Sequence, residues 1–365
     1  MPALRLLNTE SQDKADYLHN QLTTDINVPS TYWECAESYL KGVGIYDVFL
    51  IEEQDFRNYK IFLHETGSFT KKQVFERTGF LRNLQKALIR NEYKELLDEI
   101  ERCNTVQERL KGNVRNFLIR QGIHHVREID YRTRELYESE LRRTKTFSKS
   151  LEYLKTLDRI KQFDIRKEME TLSGRNKEQL KYEGQVIFLP YIPDQDIGSD
   201  FDYIQDKSEL VWDFSQKASE NLKRQIFQIL CYALRNIKDS KDRRVRYLLP
   251  LRWMYEFCIE EGIDDIERLE LEQIKKLETI VARKVVNVKN SMQIVDNSRK
   301  ILFMSGKEIH WYANVWYMER FNFAPERVNP SNPVQRLSFY EVTNERNREL
   351  LQEYMKYQVG ISDLA

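Results

Sequence analysis

Apolar positions along this chain recur at intervals of three and four between short polar turns, a pattern that predicts helices over most of its length. Residues 1–30 are polar, and Asn27-Val28-Pro29-Ser30 leads into a first helix around Thr31 to Lys41. A second helix is expected near Glu52 to His64 and a turn at Thr66-Gly67-Ser68. A third opens near Thr70 and runs through Leu88, with Val74, Gly79, Leu81, Leu84 and Leu88 in a loose stripe. The stretch from Asn91 to Arg175 repeats this arrangement with more charge. Its last portion, Ser148 to Met169, sets Leu151, Leu154, Leu157, Ile160 and Phe163 on one face. From Ser173 to Asp206 the texture changes to Gly174, Gly184, Pro190, Pro193 and Gly198 around the apolar run Val186 to Leu189, which reads as a linker. Helical periodicity returns from Ser208 to about Asn236, and a charged turn (Lys238 to Arg244) leads into a further helical stretch, Tyr247 to Glu308. An irregular tail, Trp311 to Asn344, holds Trp311, Trp316, Pro325, Pro330 and Pro333 and is expected to pack against something; a final helix covers Asn344 to Tyr357.

Within this pattern one block recurs: an apolar helical run, then Gly-Ile-x-x-(Val/Ile), then a second apolar-periodic run. It appears at Gly44-Ile45-Tyr46-Asp47-Val48, at Gly122-Ile123-His124-His125-Val126 and at Gly262-Ile263-Asp264-Asp265-Ile266, and starts again at Gly360-Ile361. Each Gly falls just past a helical run, where helices commonly stop on a left-handed residue that only Gly adopts cheaply. The following Ile and the Val or Ile three later are expected to pack back on that helix. An array of similar helical modules follows, rather than one enzyme core. The expected fold is all-α: tandem small helical modules at 1–90, 91–172 and 208–310, a linker at 173–207, and a linker with the start of a further module at 311–365.

Composition adds limits. The 365 residues hold 58 Lys plus Arg against 58 Asp plus Glu, so no net charge draws the chain to nucleic acid or anionic lipid and any such footprint is local. Only 12 Gly and 8 Pro suit long helices and short turns. Cys35, Cys103, Cys231 and Cys258 are widely spaced, without Cys-x-x-Cys, and read as reduced helix residues; no metal and no cofactor is expected. The N-terminus lacks a signal-peptide pattern and no apolar run approaches a membrane span, so a cytoplasmic location without membrane contact is expected.

Leu251-Arg252-Trp253-Met254-Tyr255-Glu256-Phe257-Cys258-Ile259-Glu260-Glu261-Gly262-Ile263-Asp264-Asp265-Ile266 resembles the first helix and turn of the core-binding, SAM-like domain of tyrosine recombinases of the phage-integrase type. Phe62 to Val74 with Phe80-Leu81-Arg82-Asn83-Leu84 resembles that domain's later turn and last helix. His310 to Phe321 with Asn344 to Leu351 is similar to the linker regions of large, transposon-borne site-specific integrases of Gram-positive bacteria. That resemblance implies the N-terminal, non-catalytic region of such an integrase, a portion of a longer protein, with double-stranded DNA and other recombinase protomers as partners. The family's chemistry needs a nucleophilic Tyr and clustered Arg, Lys and His around a DNA phosphate. The one His-x-x-Arg string, His124-His125-Val126-Arg127, lies inside the repeat's turn, with no suitably placed Tyr, and reads as accidental. No phosphate loop, nucleophile elbow, zincin helix or dinucleotide fingerprint occurs, so no catalytic residue is expected.

If the modules clamp a duplex, their cations neutralise phosphates. The candidates are Thr70, Lys71, Lys72, Arg77 and Arg82 in the first module; Arg142, Arg143, Lys145, Ser148 and Lys149 in the second; and Arg243, Arg244, Arg246, Lys289, Arg299 and Lys300 in the third. Thr70 and Ser148 would sit near helix N-termini, where hydroxyl and backbone N–H groups suit a phosphate oxygen. The competing expectation is a helical protein–protein interaction scaffold that binds no DNA.

Overall fold

At Gly44, Gly122 and Gly262 the backbone turns left-handed, with φ of 77°, 68° and 68°. The same three hydrogen bonds close each turn. The residue before the Gly donates to the carbonyl four back, the Gly to the carbonyl three back, and the following Ile to the carbonyl five back: Ile45 to Leu40 (2.9 Å), Ile123 to Leu118 (3.0 Å) and Ile263 to Cys258 (2.8 Å). This is a Schellman ending, and the backbone alone demands the Gly, because no atom lies within 4 Å of where a Cβ would stand at any of the three. These geometries come from a computed structural model describing residues 2–361 except 25–27, 67–68, 172–179, 195–196, 198–200, 202–203, 205, 325, 327–330 and 332–333. Asn27, Gly67, Ser68, Ser173, Gly174, Gly198, Pro325, Pro330, Pro333 and the residues after Ile361, singled out above, lie outside the described residues.

The fold is all-α with short strands, and the chain divides into two units, 1–175 and 176–365. The first unit holds two copies of one arrangement. In the first copy, α1 (Pro2–Leu22) and α2 (Ser30–Gly42) precede a 3-10 turn at Val48–Leu50, then α3 (Glu53–Thr66) and the long α4 (Lys71–Glu92). In the second, α5 (Lys94–Arg102) and α6 (Glu108–Arg120) precede a 3-10 turn at Val126–Glu128, then α7 (Tyr131–Thr144) and α8 (Phe147–Met169). Helix α1 falls where the sequence reads only a polar lead-in. Its apolar positions gather at the two ends around the wholly polar run Asn8 to Lys14, and those described that bury, Leu18 and Leu22, flank a buried Gln21 that hydropathy reads as solvent-facing.

The second unit carries a third copy. It begins with α9 (Glu220–Asn236), followed by α10 (Ser240–Asp242), which continues through a π-helical segment (Arg243–Leu248) into α11 (Leu249–Glu260). A 3-10 turn at Ile266–Arg268, α12 (Leu271–Ala282) and α13 (Val288–Ser305) complete it. Around the copy lie two antiparallel pairs. In β1 (Val186–Phe188) with β2 (Val211–Asp213), Ile187 faces Trp212; in β3 (Val315–Tyr317) with β4 (Arg336–Ser338), Trp316 faces Leu337. The last helix is α14 (Glu345–Ile361).

Two of the expected linkers therefore look different in the structure. Described residues of 173–207 bury Ile187, Phe188, Leu189 and Ile192, and those of 311–361 bury Trp316, Phe339 and Val359 in one cluster with Phe303. Arg348 on α14 forks onto Glu270 at 2.6 and 2.8 Å, and Gln352 donates to the Ala313 carbonyl at 2.9 Å. The helix expected from Ser208 starts only at Glu220, where Ser219 accepts from the Leu222 N–H; Val211 to Asp213 is strand. Strands of three residues are too short for alternation to show in sequence.

The three copies share more than the Gly. The next helix starts nine residues after it each time, at Glu53, Tyr131 and Leu271. Val48, Val126 and Ile266, which open the 3-10 turns, are all fully buried. Their N–H groups cannot reach water, and each donates to a side chain of the copy's first helix: Gln21 (2.9 Å), Glu99 (2.7 Å) and Gln225 (2.8 Å). The same three side chains hold the residue that precedes the turn, Asp47, His125 and Asp265. Carbonyls of the turn and of the residue that follows it accept from the copy's long helix: Gln85 to Val48 and Ile51, Lys161 to Val126 and Arg127, Arg299 to Leu269. Gln, Lys and Arg thus fill one role in three copies. The requirement is a long donor over buried carbonyls, since leaving such groups unpaired costs about 1–3 kcal/mol each.

Candidate functional site

The candidate DNA contacts separate into three groups. Arg77, Arg243 and Arg299 belong to the interior: they are 6, 3 and 2% exposed. Arg77 lies between the rings of Tyr32 and Phe69, 4.7 and 4.3 Å from their centroids; Arg243 donates to the Ile237 carbonyl; Arg299 donates to Leu269. Charge pattern cannot distinguish a cation holding carbonyls or aromatic rings from one facing solvent, so sequence placed them outside. Burial holds the Arg299 guanidinium below its ordinary range, the nearby Asp296 opposing.

A second group is exposed or half-buried but already ion-paired: Lys72 with Glu76, Arg82 with Glu53, Arg142 with Glu138, Arg244 with Glu209, Arg246 with Asp242 and Lys300 with Glu319. The hydrogen bond from Arg82 lowers the Glu53 carboxyl below its usual range. Thr70 caps α4 reciprocally with Gln73, which engages its hydroxyl.

The third group is Lys71, Arg143, Lys145, Lys149 and Lys289, exposed and without an ion-pair partner among the described residues. They gather where the long closing helix of each copy begins: Lys71 opens α4, Arg143 and Lys145 lead into α8, Lys149 and the exposed Ser148 lie in its first turn, and Lys289 lies in the first turn of α13. Large apolar side chains stand bare at the same ends: Phe75 is 75% exposed and Phe147 81%. The His-x-x-Arg string serves structure. His124 stacks on Tyr93 with ring centroids 4.7 Å apart, and His125 sits between Glu95 (3.2 Å) and Glu99 (3.3 Å).

A different kind of site lies in the second unit, a cleft of about 820 Å³ between the start of α9, the third 3-10 turn and the chain leaving α13. Asp265, Glu267 and His310 meet there, with one ligand-type atom from each within 4.8 Å of the others. His310 Nδ1 is 3.2 Å from Glu267 Oε2, and Nε2 is 3.6 Å from Asp265 Oδ2. Asp265 Oδ1 accepts from Gln225 Nε2 (2.8 Å) and from the Glu267 N–H (2.9 Å), which leaves Oδ2 toward the imidazole. Glu267 is 7% exposed, and its Oε1 is buried with no hydrogen-bond partner. Burial pulls the His310 pKa down, but the Glu267 hydrogen bond and the charges of Asp265 and Glu267 outweigh it, so the net shift is upward. The sequence hides this group: Asp265 and Glu267 belong to the repeat's turn, and His310 follows 43 residues after Glu267.

No described helix is long and apolar enough to cross a membrane. Comparison of the chain with known protein families, with curated proteins and with solved structures gives no match.

Proposed function

We propose that the three helical copies engage duplex DNA without catalysing its breakage, as the DNA-binding region of a site-specific tyrosine recombinase. What carries the reading is the set of unpaired cations, Lys71, Arg143, Lys145, Lys149 and Lys289, at the start of the closing helix of every copy. A cation without a carboxylate partner neutralises a phosphate without first giving up an ion pair, and counterion release then drives binding. Helix N-terminal N–H groups beside them add to the attraction for phosphate oxygens. On this reading the chain works in a bacterial cytoplasm beside other recombinase protomers.

The test is fluorescence anisotropy of a labelled duplex across a salt series. Five phosphate contacts give a log–log slope of about −4 to −5, at roughly 0.9 per contact. Lys145→Glu with Lys149→Glu should flatten that slope and weaken binding to any sequence alike. Absence of a complex at low salt overturns the reading and favours a protein scaffold, for which the bare Phe75 and Phe147 are the supporting observation.

A further inference from the structure

We propose that Asp265, Glu267 and His310 form a binding site for one divalent first-row metal ion, with Zn²⁺ the best fit. The inference stands apart from DNA binding. Imidazole with two carboxylates is a donor set that suits zinc, and tetrahedral bonds of ~2.0–2.1 Å put ligand atoms about 3.3 Å apart. Glu267 Oε2 stands 3.2 Å from His310 Nδ1, near that spacing, and one ligand-type atom from each of the three residues lies within 4.8 Å of the others; the contact of Nε2 with Asp265 Oδ2 (3.6 Å) would be given up as Oδ2 turns to the ion.

Three observations favour a ligand here over a chance cluster. Glu267 is 93% buried by its 7% exposure, yet Oε1 has no partner. An imidazolium on Oε2 leaves Oε1 uncompensated, whereas an ion held by both Glu267 oxygens would satisfy it. Asp265 keeps Oδ2 toward the imidazole because its Oδ1 is tied by Gln225 Nε2 and the Glu267 N–H, the same two bonds that hold Asp47 in the first copy. Finally, the repeat needs neither the Glu267 carboxylate nor His310. The positions of Asp265 and Glu267 are Asp47 and Phe49 in the first copy and His125 and Arg127 in the second, and both build the same turn. The remaining coordination positions would face the cleft, beside Gln228 and Ser305.

The full chain, freed of metal with EDTA and exchanged into chelator-free buffer at mildly alkaline pH, is titrated with ZnCl₂ by calorimetry. One equivalent should bind. Co²⁺ in place of Zn²⁺ should give visible d–d absorption without a thiolate charge-transfer band, which excludes the four cysteines. His310→Gln and Glu267→Gln should each weaken binding at least about tenfold. Imidazole NMR of the wild type covers the case of a variant that does not fold, since Zn²⁺ must shift His310 before the other histidines. Absence of saturable binding overturns the proposal, leaving an internal imidazolium bridge. So does equal binding by wild type and folded variants, or an unmoved His310 resonance.

Discussion

Gln225→Leu tests the reasoning behind the repeat most directly. Gln225 is 2% exposed; its Oε1 accepts the Ile266 N–H at 2.8 Å and its Nε2 reaches Asp265 at 2.8 Å. Leu fills nearly the same volume but supplies neither bond. Ile266 is fully buried, so its N–H stays dry and unpartnered, at about 1–3 kcal/mol. Asp265 keeps the Glu267 N–H on the same oxygen, so its loss is smaller, roughly 0.5–1 kcal/mol. The sum is about 1.5–4 kcal/mol, and at ~2–4 °C per kcal/mol the unit should melt about 3–16 °C lower. Calorimetry reads the melt, and native-state hydrogen exchange reads the Ile266 amide, whose protection should fall. Gln21→Leu should do the same at Val48, which has the same bond in another copy. A melt within about 1 °C of wild type together with unchanged protection at Ile266 would refute the claim that these polar side chains hold the turns.

Further expectations follow from the same structure. Gly262→Ala meets no atom within 4 Å, so only the backbone at φ 68° resists it; an αL penalty of ~1–2 kcal/mol, less the stiffer unfolded chain, predicts roughly 0.5–1.5 kcal/mol lost in urea unfolding. Arg77→Ala should destabilise by about 2–4 kcal/mol, because it empties a space between Tyr32 and Phe69, while exposed Lys71→Ala stays within about 0.5 kcal/mol and lowers only the salt slope of DNA binding. In EDTA, the raised His310 pKa gives stability that is complete below the unfolded value of about 6.5 and lost as pH rises through the folded one; thermal melts of His310→Gln should lack that decline.

Sequence alone determined the all-α class and the repeating turn. Both rest on local rules: a 3.6-residue apolar period, and a backbone conformation that Gly adopts at least cost. Gly44, Gly122 and Gly262 announce the turn because nothing else substitutes cheaply there. The side chains that complete it do not announce themselves. Gln85, Lys161 and Arg299 perform one task with three chemistries, and Gln21, Glu99 and Gln225 perform another, since a buried backbone group asks only for a donor or acceptor at the right reach. Whether a cation faces water, as Lys71 does, or carbonyls, as Arg299 does, depends on which elements pack over it. The meeting of Asp265, Glu267 and His310 likewise depends on where the chain leaving α13 comes to lie, a tertiary fact without local signature. Short-range sterics wrote the modules into the chain; burial, which is decided only by packing, chose what each charged side chain is for.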